Sequence, residues 1–169
     1  MDPKKKIVEW HDSYSVGIRL VDDQHRELIN LTNKLHEASV LGWDKSKVAF
    51  MSAIRATVDY VGYHFSTEEK IMERVNYPDY KMHKKEHSDF VKEVLRQVQD
   101  FQAGQKASAN DFVLFLKEWV LSHIAVCDKK MGMYLIKLKR EGALRHITMQ
   151  VKQQSPAAAG EEGKRLVIR

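Results

Sequence analysis

At 169 residues, 43% of them hydrophobic and 30% charged, the chain is long enough for one domain with a buried core. No apolar run approaches the ~20 residues that span a bilayer, and the opening MDPKKKIVEWHDSYS lacks the apolar stretch of a secretory signal. A net charge of +5 raises the question of nucleic acid, but the basic residues alternate with acids, as in KMHKKEHSDFVKEV, and read as solvated helix faces.

Residues 1–17 form an N-terminal arm that Trp10 and Tyr14 are expected to pack down. Helical periodicity then runs from about Ile18 to Val40, with Val21, Leu28, Leu31, Thr32 and Leu35 available to one side. Leu41 to Asp44 reads as a turn, with Asp44 or Ser46 as an N-cap. A second helix, about Lys45 to Val75, carries Val48, Met51, Ile54, Val58, Val61 and Phe65. Pro78 ends it, because proline has no amide proton and restricts the residue before it.

The third helix, about Tyr80 to Phe101, repeats Phe90, Val91, Val94, Val98 and Phe101, and Gly104 closes it. Ser108 or Asn110 caps a fourth, which carries Phe112, Phe115, Leu116, Trp119 and Val120 and continues toward Arg140. Short connections make sequential helices antiparallel. The expected fold is therefore all-α: an up-down-up-down four-helix bundle over residues 18–147, with a C-terminal tail at 148–169. The tail's linker composition suggests mobility. A lone cysteine, Cys127, cannot form an internal disulfide, which fits a reducing compartment and makes the cytoplasm the expected location.

Five of the eight histidines combine with carboxylates in a pattern that carries chemistry. His64 and Glu68, like His83 and His87, are one helical turn apart on a single face. His25 stands alone on the first helix, and His123 precedes Asp128 in HIAVCD. Counted from the turns at ~1.5 Å per residue, all seven reach about the same level, toward the end holding Tyr77 and Pro78. Burying such groups without a cation is expensive, so metal binding is the better reading. Imidazole and carboxylate suit iron, zinc, copper or nickel. A structural zinc would want thiolates that one cysteine cannot supply. No histidine has a glutamate three positions before it, so the Glu-x-x-His pairs of carboxylate-rich di-iron enzymes are missing. Fewer carboxylates favour binding oxygen over cleaving it. His123 and Asp128, five apart, would diverge by about 140° on a regular helix, so an irregularity is expected between Ser122 and Lys129.

These residues, with WHDSYSVGIRLVDDQH, HFSTEEKIMERVNYPDYKMHKKEHSDF and FLKEWVLSHIAVCD around them, resemble the hemerythrin family, most closely its bacterial members. The resemblance covers roughly Trp10 to Glu141. It implies two iron ions per chain with an oxide or hydroxide bridge. His83, His87 and His123 would hold one iron, His25 and His64 the other, and Glu68 and Asp128 would bridge them. The iron with fewer protein donors would keep a position open for molecular oxygen, bound reversibly and without catalysis. An oxygen- or redox-sensing module reporting to an unidentified protein partner, and an enzyme acting on peroxide or nitric oxide, are the competing readings. Reversible binding needs a dry pocket. Leu28, Tyr60, Trp119, Val120 and Ile124 lie within a turn of the expected ligands and are the pocket candidates. His11, His36 and His146 fall outside the pattern, and Cys127 is not expected to be a ligand.

Overall fold

The computed structural model describes residues 6–40, 43–102, 109–143, 150–151 and 164–165. Helices α1 (Arg19–Val40), α2 (Trp43–Arg74) and α3 (Tyr80–Gln102) are followed by α4 (Ala109–His123). A π-helical turn, Ile124–Asp128, joins α4 to α5 (Lys129–Arg140), so the two act as the fourth rod of an all-α bundle. Helix α1 packs on α2 and α4, and α2 on α3. None of the described helices is long and apolar enough to cross a membrane.

The expected helix limits hold within about two residues. One difference is at the first connection, where Trp43 and Asp44 already belong to α2 rather than to a turn. The expected closing Gly104 and the cap at Ser108 lie outside the described residues, while Asn110 lies inside α4 and accepts from the Ser39 hydroxyl at 3.0 Å. The α2–α3 corner is built by Asn76, whose φ of 49° places it in the left-handed region. Its neighbour Tyr77 donates its backbone N–H to the Met72 carbonyl at 2.9 Å, closing the end of α2 before Pro78. Of the tail, the described residues Gln150–Val151 and Lys164–Arg165 pair antiparallel. The expectation of mobility there otherwise lies outside the described residues.

Two apolar clusters fill the interior. The larger includes Leu28, Leu35, Ile54, Val61, Phe65, Phe90, Leu116, Val120 and Ile124. The smaller, at the Tyr77 end, includes Val21, Ile71, Met72, Met131 and Leu135. Two residues expected on the inner faces point outward instead: Val48 is 85% exposed and Val91 37%. Each sits at the margin of a stripe whose centre (Ile54 and Val61 on α2, Phe90 and Val94 on α3) is buried.

The arm lies against α1 and α5. Asn33 on α1 accepts from the backbone N–H groups of Ile7 and Val8 and donates to the Val8 carbonyl. Trp10 meets Tyr14 edge-on and receives the Arg26 guanidinium 4.2 Å above its ring. Asp22 accepts from the Val16 N–H and the Ser15 hydroxyl, both at 2.7 Å. Lys129 donates to the carbonyls of Ser13 and Ser15. Gly17, at φ 78°, turns the chain into α1.

Candidate metal centre

On all four rods the donor residues fall between the two apolar clusters. His25 lies between Val21 and Leu28, and Glu68 lies between Phe65 and Ile71. His83 and His87 lie between Tyr80 and Phe90, and Asp128 lies between Ile124 and Met131. The polar layer is thereby sealed above and below by hydrocarbon. All seven side chains singled out in the sequence are buried, His25, Glu68 and Asp128 completely.

The π turn solves the spacing problem between His123 and Asp128. The Lys129 N–H bonds back to the Ile124 carbonyl, one residue farther than in an α-helix. This wider turn brings Asp128 round to the face that His123 already occupies, and both enter the same cluster.

The seven residues resolve into two donor groups. Glu68, His83, His87, His123 and Asp128 bring one atom each within 4.8 Å of one another, and so do His25, His64, Glu68 and Asp128. Both carboxylates belong to both groups, and each divides its oxygens between them. Glu68 Oε2 faces His83 Nε2 at 3.5 Å and His87 Nε2 at 3.2 Å, while Oε1 faces His64 Nε2 at 3.6 Å and His25 Nε2 at 3.8 Å. Asp128 Oδ1 lies 3.1 Å from His83 and 3.3 Å from His123, and Oδ2 lies 3.2 Å from His25. The His123 Nε2 is 3.1 Å from those of both His83 and His87. Every imidazole therefore presents Nε2 inward.

Among the described residues, His25 Nε2 and all four carboxylate oxygens of Glu68 and Asp128 are buried with no hydrogen-bond partner. Their approaches are close, but the angles do not make directed bonds. Such a set of inward acceptors is costly on its own and fits a cation between them. Without one, protons take that place. Burial disfavours charge on His25 and His83, yet the neighbouring Asp128 and Glu68 carboxylates hold both imidazoles up at about 9. For His64 and His123 burial prevails over the same carboxylates and pushes both down to about 4. Burial and mutual repulsion oppose charge on Asp128, but the imidazoles around it hold it down at about 2. Glu68, despite burial, is likewise held well below the carboxylate range by His64 and the other imidazoles.

Some contributing residues were not singled out in the sequence. The outer nitrogen of His64 donates to Gln24 Oε1 at 3.0 Å, and the Gln24 amide donates to Thr67. The outer nitrogen of His87 meets Glu69 Oε1 at 3.3 Å, and Lys84 holds the other Glu69 oxygen at 2.9 Å. Phe65 stacks on His87 with ring centres 3.7 Å apart. In the sequence, the only trace of these roles is adjacency: Gln24 beside His25, Phe65 beside His64 and Glu69 beside Glu68.

Of the pocket candidates, Leu28, Val120 and Ile124 are buried in the larger cluster, and Tyr60 packs half-buried against it. Trp119 stacks on His123, with centres 4.3 Å apart, and on Phe90. It therefore stands beside the three-histidine group. A separate apolar cavity of about 140 Å³ lies between α2, α3 and α4, lined by Val58, Val61, Phe90, Val94 and Leu116 among others. Cys127 is half-buried and belongs to neither donor group, its thiol pushed up to about 11, chiefly by burial.

Fold and site together define a helical bundle whose core holds a candidate two-part, histidine-rich metal centre. Residues 16–135 match the family described as the hemerythrin HHE cation binding domain, and the chain belongs to that family. It is 35% identical over 123 residues to a bacteriohemerythrin of Stenotrophomonas maltophilia, covering 73% of this chain and 78% of that one. A bacteriohemerythrin of Methylococcus capsulatus is 31% identical over 119 residues, covering 70% and 88%. A solved wild-type hemerythrin structure superposes with a TM-score of 0.69 at 29% identity, covering 75% of this chain and 95% of its own.

Proposed function

We propose that this chain binds molecular oxygen reversibly at a pair of iron ions, as an oxygen carrier, store or scavenger. One observation carries the reading: Glu68 and Asp128 each direct one oxygen to either histidine group, as carboxylates bridging two cations would. In this assignment His83, His87 and His123 hold one iron, His25 and His64 hold the other, and the two carboxylates are common to both. An oxide or hydroxide from solvent completes the bridge. The iron pair supplies the electrons that reversible oxygen uptake draws on and returns.

The protein's own contribution is geometry and dryness. The group built on His83 offers five donors and the group built on His25 offers four, so the exogenous ligand has its place on the His25 and His64 side. Gln24 fixes the His64 ring by accepting from its outer nitrogen, which leaves Nε2 as the inward lone pair. Leu28, Val120 and Ile124 exclude water from the larger-cluster side, and Trp119 covers His123. Water kept away from the centre cannot displace the bound ligand or carry off its proton. Residues 18–147 contain all of these groups.

Metal analysis after expression with iron, followed by visible spectra with and without oxygen, tests the reading. About two irons per chain and a spectrum that oxygen changes reversibly are expected. One zinc and no iron would overturn it, and sustained turnover of peroxide or nitric oxide would replace it with an enzyme.

A further inference from the structure

The two histidine groups differ outside the centre as well as within it. On the His64 side the outer partner is Gln24, a neutral amide that is itself buried and bonded to Thr67. On the His87 side it is Glu69, a carboxylate. Glu69 reaches solvent along a groove of about 530 Å³ between α2 and α3, lined by His87, Ser66, Ser88, Tyr80 and Lys84 among others. There Lys84 donates to both Glu69 and the Tyr80 hydroxyl. An imidazole that donates to a carboxylate gains basicity at its far nitrogen, and a neutral amide acceptor raises it less. A cation bonded to the second oxygen of that carboxylate draws part of the charge back.

Resting on the iron-pair reading above, we infer that Glu69 is a positioning residue that makes the two irons unequal. It orients His87 and enriches the three-histidine iron in electron density, and Lys84 at the surface sets how strongly. The physical basis is a chain of three contacts, Lys84 to Glu69 to His87 to the centre, ending in a side chain that is half exposed. Phe65, stacked flat on the His87 ring, holds the plane in which that chain acts. A surface charge therefore reaches a buried metal without any ligand changing.

The experiment compares the iron-loaded full chain with Glu69→Gln and Lys84→Met, reading iron content and the ferric–ferrous equilibrium by redox titration. Glu69→Gln keeps the acceptor and removes the charge, so the equilibrium should move about tenfold toward the ferrous form, or about 59 mV per electron. Lys84→Met leaves Glu69 unopposed and should move it the other way, by about threefold. All three proteins should hold about two irons. Purely structural roles would not give opposite signs. Two irons retained with no shift, or with both shifts in one direction, would overturn the inference while leaving the oxygen-binding reading intact. An unmutated chain without iron overturns that reading and this one together.

Discussion

Replacing Gly132 by alanine tests how the arm is locked to the helix that follows the centre. A β-carbon at that position would lie 2.3 Å from the Val16 carbonyl oxygen and 2.9 Å from the Val16 β-carbon. Carbon–oxygen contacts close to no less than about 3.3 Å, so the backbone of Val16 or of α5 must move by about 1 Å. Neither is free to do so. Val16 is pinned by Asp22, Ser15 by Lys129, and Met131, beside Gly132, is completely buried. Overpacking of this kind costs about 1–3 kcal/mol, against up to ~1 kcal/mol gained from alanine's helix propensity. The expected net loss is about 1–2 kcal/mol, a fall in Tm of about 2–8 °C for a chain of this size. Gly62→Ala is the control: it too is helical, but nothing lies within 4 Å of the added carbon, so propensity alone should raise Tm by about 2–4 °C. Thermal unfolding followed by helical circular dichroism reads both. A Gly132→Ala protein as stable as the parent would refute the claim that Val16 and α5 are in fixed contact.

Replacing either Glu68 or Asp128 by alanine removes an oxygen from both donor groups, so metal analysis should show loss of the iron pair rather than of one ion. Two irons retained in either variant would reassign the bridge. In the metal-free chain, His25 and His83 are raised to about 9 and favour folding below their unfolded value near 6.5, a contribution lost as pH climbs through 9. His64 and His123 are depressed to about 4, so the unfolded chain takes up protons first as pH falls from 6.5. Metal-free stability should therefore peak near pH 6.5 in urea titrations, and a flat profile from 4 to 9 would contradict the proton arrangement. Deleting residues 150–169 should leave iron content and oxygen spectra unchanged, and a large drop in Tm would mean that the tail contributes to the core.

The helices and the donors were legible in the sequence because both rest on short-range periodicity. Val21, Leu28 and Leu35 repeat on one face of α1, and His64 with Glu68 and His83 with His87 stack one turn apart. Even the π turn left a trace, in a spacing of five that no regular helix accommodates. What did not show were contacts between rods. That Glu69 meets His87 and Gln24 meets His64 depends on how α2 rotates against α3 and α1, which no single-helix pattern encodes. Likewise the exposure of Val48 follows from where α2 meets its neighbours rather than from its own hydropathy.

The π turn has a further effect beyond bringing Asp128 to His123. An added residue in a helix advances the phase of everything after it by about 100°. The faces of α5 are therefore set by Ile124–Asp128: Met131 and Leu135 turn into the smaller cluster, and Gly132 turns toward Val16. A single deletion at Ala125 or Val126, both exposed, would restore a regular helix at no packing cost of its own. It would also swing Leu135 out of the core and bring a bulkier residue against the arm. The helix irregularity thus serves as the common phase reference for the centre above it and the packing below it, and neither can be re-registered alone.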